Sequence, residues 1–127
     1  MARNYELDIG GVIYSGTTAP AKSQAEALHV AMRTGIIAHF KGNPSDMTLA
    51  AMFAALDYDD FGKLVRLLVK DCVQREEDKI PIGENLFQDN IQDYYLLVGQ
   101  VVKENLGPFW NLRRQTEATE KAAAETS

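Results

Sequence analysis

Apolar residues recur every third or fourth position through most of this chain and alternate with acidic ones only near its start. From Ser23 onward Leu28, Met32, Ile36 and Phe40 return every fourth residue. That spacing predicts one helix from about residue 22 to 40, stopped at Gly42-Asn43-Pro44. Ser45-Asp46 offers a new N-cap, and Leu49, Met52, Phe53 and Leu56 form the stripe of a short second helix. Its alanines would admit a close neighbour. Phe61, Leu64, Val65, Leu68, Val69 and Cys72 then fall at i, i+3, i+4, i+7, i+8 and i+11, the clearest amphipathic helix of the chain. Lys63, Arg66, Lys70 and Asp71 occupy its polar side. Gln74 to Lys79 reads as a charged loop. Ile80-Pro81-Ile82 reads as extended, because a residue before Pro avoids the α region, and Gly83 allows a bend before a short helical turn over Glu84 to Phe87. A fourth helix is expected from about Asn90 to Leu106, with Ile91, Tyr94, Tyr95, Val98, Val101 and Val102 on its apolar face.

The beginning of the chain has a different period. Tyr5-Glu6-Leu7-Asp8-Ile9 alternates apolar with acidic, Gly10-Gly11 interrupts, and Val12-Ile13-Tyr14 resumes with β-branched and aromatic residues. This predicts a β hairpin over residues 5–14, since two glycines supply the positive φ angles of a tight primed turn. Two strands alone are marginal. The hairpin therefore either packs on its own helices or pairs with a strand of another copy, and the Gly/Thr/Pro-bearing stretch from Ser15 to Lys22 reads as a linker behind it. Ile9, Val12 and Tyr14 become candidates for self-association. At the other end Gly107-Pro108 stops the last helix, and Phe109 and Trp110 follow as either a core plug or an anchor for a partner. The segment Arg113 to Ser127 contains good helix formers, including a Glu117/Lys121 pair, but has nothing to bury and should fray. The expected architecture is mainly α: a single domain over 1–112 with about four helices and an N-terminal β hairpin, then a polar tail over 113–127.

Composition narrows the function classes. A length of 127 residues suits one domain, and 46% apolar with 24% charged residues argues against both disorder and a fibrous repeat. A formal charge of -5 without a basic cluster disfavours nonspecific nucleic-acid binding. No apolar run approaches the ~20 residues of a membrane span, and no apolar stretch of a signal peptide is visible, so a cytoplasmic protein without membrane contact is expected. Cys72 lies on an apolar helical face and reads as a small buried hydrophobe. His29 and His39 would point about 80° apart on one helix and cannot share a metal from it. One Cys and two His fall short of a zinc set, and Asp57, Asp59 and Asp60 lack the Gly and closing Glu of a calcium loop, so helix capping explains them better. No G-x-S-x-G turn, Cys/His signature or phosphate-cradling glycine loop is present. The expectation is a non-enzymatic interaction domain with no metal and no cofactor.

The order of parts carries a resemblance. An N-terminal hairpin, a helical body, the extended Ile80-Pro81-Ile82 step leading to Phe87, and a final helix closing on Asn105-Leu106-Gly107-Pro108-Phe109 before a polar tail resemble the tail assembly chaperones of long-tailed, lambdoid bacteriophages. The resemblance implies a non-enzymatic assembly factor that binds and coats the tape measure protein and recruits tail tube subunits, working in the host cytoplasm and absent from the finished virion. It also implies an extended form, made by programmed frameshifting, through which the tail tube protein is reached. Glu120-Lys121 is compatible with a slippery run of purines. The alternative is a structural protein of the virion, a head-to-tail joining or tail completion subunit.

Overall fold

The computed structural model describes residues 2–40 and 44–107. Strands β1 (Asn4–Ile9) and β2 (Val12–Thr17) pair antiparallel, with Ile9 opposite Val12 across the Gly10-Gly11 turn. Both glycines have positive φ, 60° and 86°, as a two-residue primed turn requires, and the Asp8 carboxylate accepts the Gly11 N–H at 3.0 Å. Alternation sends Tyr5, Leu7 and Ile9 into the core while Asn4, Glu6 and Asp8 face solvent. The hairpin thus packs on its own chain.

It is also wider and better anchored than the residue pattern indicates. A third strand, β3 (Val73–Arg75), pairs antiparallel with β2, and Gln74 bridges to Pro81. The charged run expected as a loop therefore enters the sheet. Its turn is closed by Arg75–Asp78 and Lys79–Glu76 ion pairs. The expected Ser15 to Lys22 linker is corrected as well: Ser15 to Thr17 belong to β2, and Thr18 and Ala19 are buried. Gly16 has a specific reason to be Gly, since a Cβ there would lie 2.4 Å from the Tyr5 ring.

Helix α1 (Ala21–Thr34) ends at Gly35, whose φ of 80° gives a left-handed cap, and a one-turn α2 (Ile36–His39) follows. The single helix expected over 22–40 is therefore two. The break explains why Met32, on the expected stripe, is 49% exposed while Ile36 and Phe40 are buried. A strict four-residue spacing drifts around a 3.6-residue helix, and Ala27, Val30 and Ala31 carry the inner face instead. Helix α3 (Asp46–Ala54) starts as expected, with the Ser45 hydroxyl accepting the Thr48 N–H.

Helix α4 (Tyr58–Leu64) passes into a π-helical turn over Val65–Val69, in which Lys70 N–H donates to the Val65 carbonyl at 2.9 Å. The helix does not reach Cys72 as the pattern suggests. Lys70 turns extended and Asp71 takes φ 62°, which reverses the chain into β3. Cys72 is half-buried beside the core, and burial pushes its thiol pKa up. Asp57 occupies the N-cap position of α4 without a side-chain capping bond, and Asp59 and Asp60 lie in the first turn. Gly83 is extended rather than bent, at φ -152° and ψ 164°, and Glu84–Phe87 forms the expected short turn, of 3₁₀ type.

Residues 91–107 form the last helix, α5. Tyr94, Leu97, Val98, Val101, Val102 and Leu106 are buried along it, but Ile91 is 49% exposed because it precedes the stretch that meets the core. The close approach expected of the α3 alanines is instead made by Gly99: a Cβ on it would lie 2.8 Å from Leu49 Cγ and 3.1 Å from Phe53 Cδ2. Ala51 and Ala54 face outward. Asn105 ties the helix end to the hairpin exit. Its buried Oδ1 accepts from Ala19 N–H at 2.9 Å and Gln24 Nε2 at 3.2 Å, and its Nδ2 donates to the Val101 carbonyl. Beside it Arg3 pairs with Glu104 at 3.0 Å. Phe109, Trp110, the 112/113 boundary and the tail lie outside the described residues.

Candidate partner-binding surfaces

Of the candidates on the hairpin, Ile9 and Tyr14 are 4% and 5% exposed and belong to the core, whereas Val12 is 38% exposed beside an equally accessible Ile13. The Tyr14 ring stacks on Phe87 with centroids 5.9 Å apart, Phe87 meets Tyr94 at 5.4 Å, and Tyr94 meets Phe61 edge-on at 5.6 Å. Tyr95 closes the ladder on Phe61 at 4.7 Å. These rings link β2, the 3₁₀ turn, α5 and α4 through quadrupole-favoured geometries. Burial pushes the Tyr94 pKa up to about 12 and raises that of Tyr14. Both phenols stay neutral at physiological pH.

The outer end of that ladder opens into a groove of about 390 Å³ between α4 and the Ile82–Glu84 segment. Phe61, Val65, Ile82 and Tyr94 line it, together with the exposed Tyr58, Arg66, Lys70 and Glu84. Tyr58 is 64% exposed, and its hydroxyl donates to Glu84 Oε1 at 2.8 Å, which holds the ring upright; that bond also pushes the phenol's pKa up. Arg66 and Lys70 are exposed and form no ion pair with any described residue. Arg66 lies within the π turn and Lys70 follows it directly, a helix irregularity of a kind often found where a helix serves function.

A second surface is the free edge of the sheet. The Thr18 N–H donates to the Arg3 carbonyl at 2.9 Å, so Arg3 points its backbone toward β2, and Tyr5, Leu7 and Ile9 follow at steps of two. The main-chain groups of Asn4, Glu6 and Asp8 face away from β2. A shallow polar hollow of about 810 Å³ lies over this part of the sheet, lined among others by Glu6, Ser15, Thr17 and Asp71. Among the described residues no group of three or more His, Cys, Asp or Glu side chains could hold a metal ion, and no helix is long and apolar enough to cross a membrane.

A helical body carrying a small sheet, with surfaces built from aromatic rings and single charges, is equipped for protein contact. The family model described as phage tail assembly chaperone protein matches residues 10–118. The chain belongs to the phage tail assembly chaperone family. The match runs from the hairpin turn to beyond α5 and includes the whole aromatic ladder and groove of the chaperone. No curated protein and no solved structure matches it.

Sequence reasoning missed Tyr58, Ile82 and Glu84 as surface residues. The Asp57-Tyr58-Asp59-Asp60 run reads as capping, which hides the exposed ring within it. Arg66 and Lys70 are legible as the polar side of α4, but nothing in the spacing tells that a groove opens beside them.

Proposed function

We propose that this chaperone binds the tape measure protein during tail morphogenesis, keeps it soluble and extended in the host cytoplasm, and recruits tail tube subunits around it before leaving the assembled tail. A frameshifted, C-terminally extended form carries the contact with the tail tube protein. Family membership over residues 10–118 is the observation that supports this reading. It favours an assembly factor over a head-to-tail joining or completion subunit, and a non-enzymatic role. The surfaces described above agree with it: they are shallow, aromatic and singly charged, which suits protein contact better than the enclosure of a small substrate.

Co-expression of the chain with the tape measure protein of the same phage tests the proposal. A soluble complex that co-purifies, and a tape measure protein that aggregates when expressed alone, are expected. A tape measure protein that stays soluble alone and never co-purifies refutes the binding role. Mass spectrometry of the infected cell should find peptides read past residue 121 in a second frame, and their absence removes the extended form.

A further inference from the structure

The groove beside α4 combines three features. Its floor is aromatic and aliphatic, and Tyr58 beside it stands 64% exposed. The Glu84 carboxylate accepts a hydrogen bond from its hydroxyl at 2.8 Å, which restricts the ring before anything binds. An ordered exposed Tyr loses little conformational entropy when covered, which is why Tyr and Arg dominate interface energetics. Arg66 and Lys70 also line the groove, while several other described cations are engaged: Arg3 with Glu104, Arg33 with Asp60, Arg75 with Asp78 and Lys79 with Glu76. Glu84, which also lines the groove, is engaged by the Tyr58 hydroxyl, so Arg66 and Lys70 make no ion pair with a described residue. With the aromatic ladder fixing its floor, the groove is preformed.

We infer that this groove seats a short apolar segment of a partner protein whose flanking residues are acidic, the apolar side chains lying on Tyr58, Val65 and Ile82 and the carboxylates meeting Arg66 and Lys70. Charge complementarity selects this occupant. A second copy of this chain is the occupant the test must separate from it: its exposed Val12 and Ile13 adjoin on the hairpin, whereas Met32, Met47 and Ile91 are dispersed over different elements. The inference rests on the proposed role only in supplying the partner, and it deepens that role by naming the face and its chemistry.

Two synthetic peptides of one helical apolar sequence, one flanked by Glu and one by Lys, probe the groove without any phage partner. Amide chemical shifts of the intact chain should move at Tyr58, Gly62, Val65 and Ile82 with the Glu peptide. The Lys peptide should bind about tenfold more weakly or not at all, and the difference should shrink as salt rises. Arg66→Glu combined with Lys70→Glu should weaken the Glu peptide by about tenfold and reverse the preference, while Arg66→Lys with Lys70→Arg retains it. Tyr58→Ala should cost a further tenfold or more. Far-ultraviolet circular dichroism of each variant confirms the fold, since all three positions are exposed.

Equal binding of both peptides, or shifts mapping elsewhere, overturns the assignment. So does an oligomer that dissociates when the Glu peptide is added, since a second copy would then be the occupant. Capture of the tape measure protein separates the two levels of argument. If the parent captures it and the charge-reversed variant, Arg66→Glu with Lys70→Glu, does so equally, the groove is refuted and the proposed function stands. If the parent fails to capture it while the Glu peptide binds as described, the proposed function is refuted and the groove stands.

Discussion

Replacing Asn105 offers a sharp test of how the hairpin is fastened to the helical body. The side chain is 6% exposed and makes three hydrogen bonds, of which the one from Ala19 N–H matters most because Ala19 is itself 5% exposed. Asn105→Leu keeps the volume but leaves that N–H without an acceptor, a loss of about 1–3 kcal/mol. The half-buried Gln24 amide adds on the order of 0.5–1 kcal/mol, since solvent can replace its partner. The sum, about 2–4 kcal/mol, is a large part of a typical ~5–15 kcal/mol stability and should lower Tm by on the order of 10 °C or more. Asn105→Asp separates acceptor from donor. It keeps an oxygen for Ala19 but puts a carboxylate oxygen where Nδ2 donates to the Val101 carbonyl at 2.9 Å. Burial and that carbonyl should raise the carboxyl pKa in the folded state above its unfolded value of about 3.9. Its contribution is then full below the unfolded pKa and lost as pH rises through the folded one, so the Asp variant should approach the parent only in acid. Urea unfolding across pH reads both effects. An Asn105→Leu chain with an unchanged slope and a stability within about 0.5 kcal/mol of the parent would refute the reasoning.

Three further outcomes follow from the geometry. Gly99→Ala gains about 1 kcal/mol of helix propensity but sets a methyl 2.8 Å from Leu49 Cγ, and overpacking of about 1–3 kcal/mol should leave the variant less stable; a stabilised variant would show that α5 does not seat that closely on α3. Tyr5 buries a hydroxyl with no hydrogen-bond partner among the described residues, so Tyr5→Phe should be neutral or stabilising by up to about 1–3 kcal/mol in thermal melts, and a clear loss of stability would reveal a partner for that hydroxyl. Antiparallel pairing of two copies along β1 would set Glu6 and Asp8 against the same residues of the other copy, so Glu6→Gln with Asp8→Asn should raise self-association in sedimentation, and an unchanged monomer would mean that something other than charge protects the edge.

The legible parts of this fold are those governed by local rules. The Gly10-Gly11 turn, the Ser45 cap, the Ile80-Pro81-Ile82 extension, the turn over Glu84–Phe87 and the final helix each depend on backbone chemistry within a few residues, and each could be read. The misread parts depend on long-range partners. Gln74 looks like loop because β3 is only three residues long and half its neighbours are charged; what makes it a strand is β2, far earlier in the sequence. Once β3 is paired, the hairpin is held along one edge and Ser15 to Thr17 lengthen β2, so the apparent linker disappears. The same holds for Gly99, which reads as an isolated helix glycine until Leu49 and Phe53 are placed across from it.

The candidate sites follow this division. Ile9 and Tyr14 stand out in the sequence because they are large and apolar, and for that reason the core takes them, Tyr14 as the first ring of a ladder that ends at Tyr95. What the core leaves over cannot be read from hydrophobicity, because a residue becomes surface only by where its neighbours lie. Tyr58 is the instructive case: it is a helix-starting aromatic among aspartates, yet the Glu84 carboxylate, brought over by the turn after β3, holds it upright and exposed. The sheet therefore does more than cover one face of the helices. By pinning residues 73–75 to β2, with Pro81 bridged in turn to Gln74, it delivers Ile82 and Glu84 to the side of α4, and the groove depends on that pairing. A change that detaches β3 from β2 should open the groove as well as the sheet, which couples the stability of the hairpin to the chaperone's capacity to hold a partner.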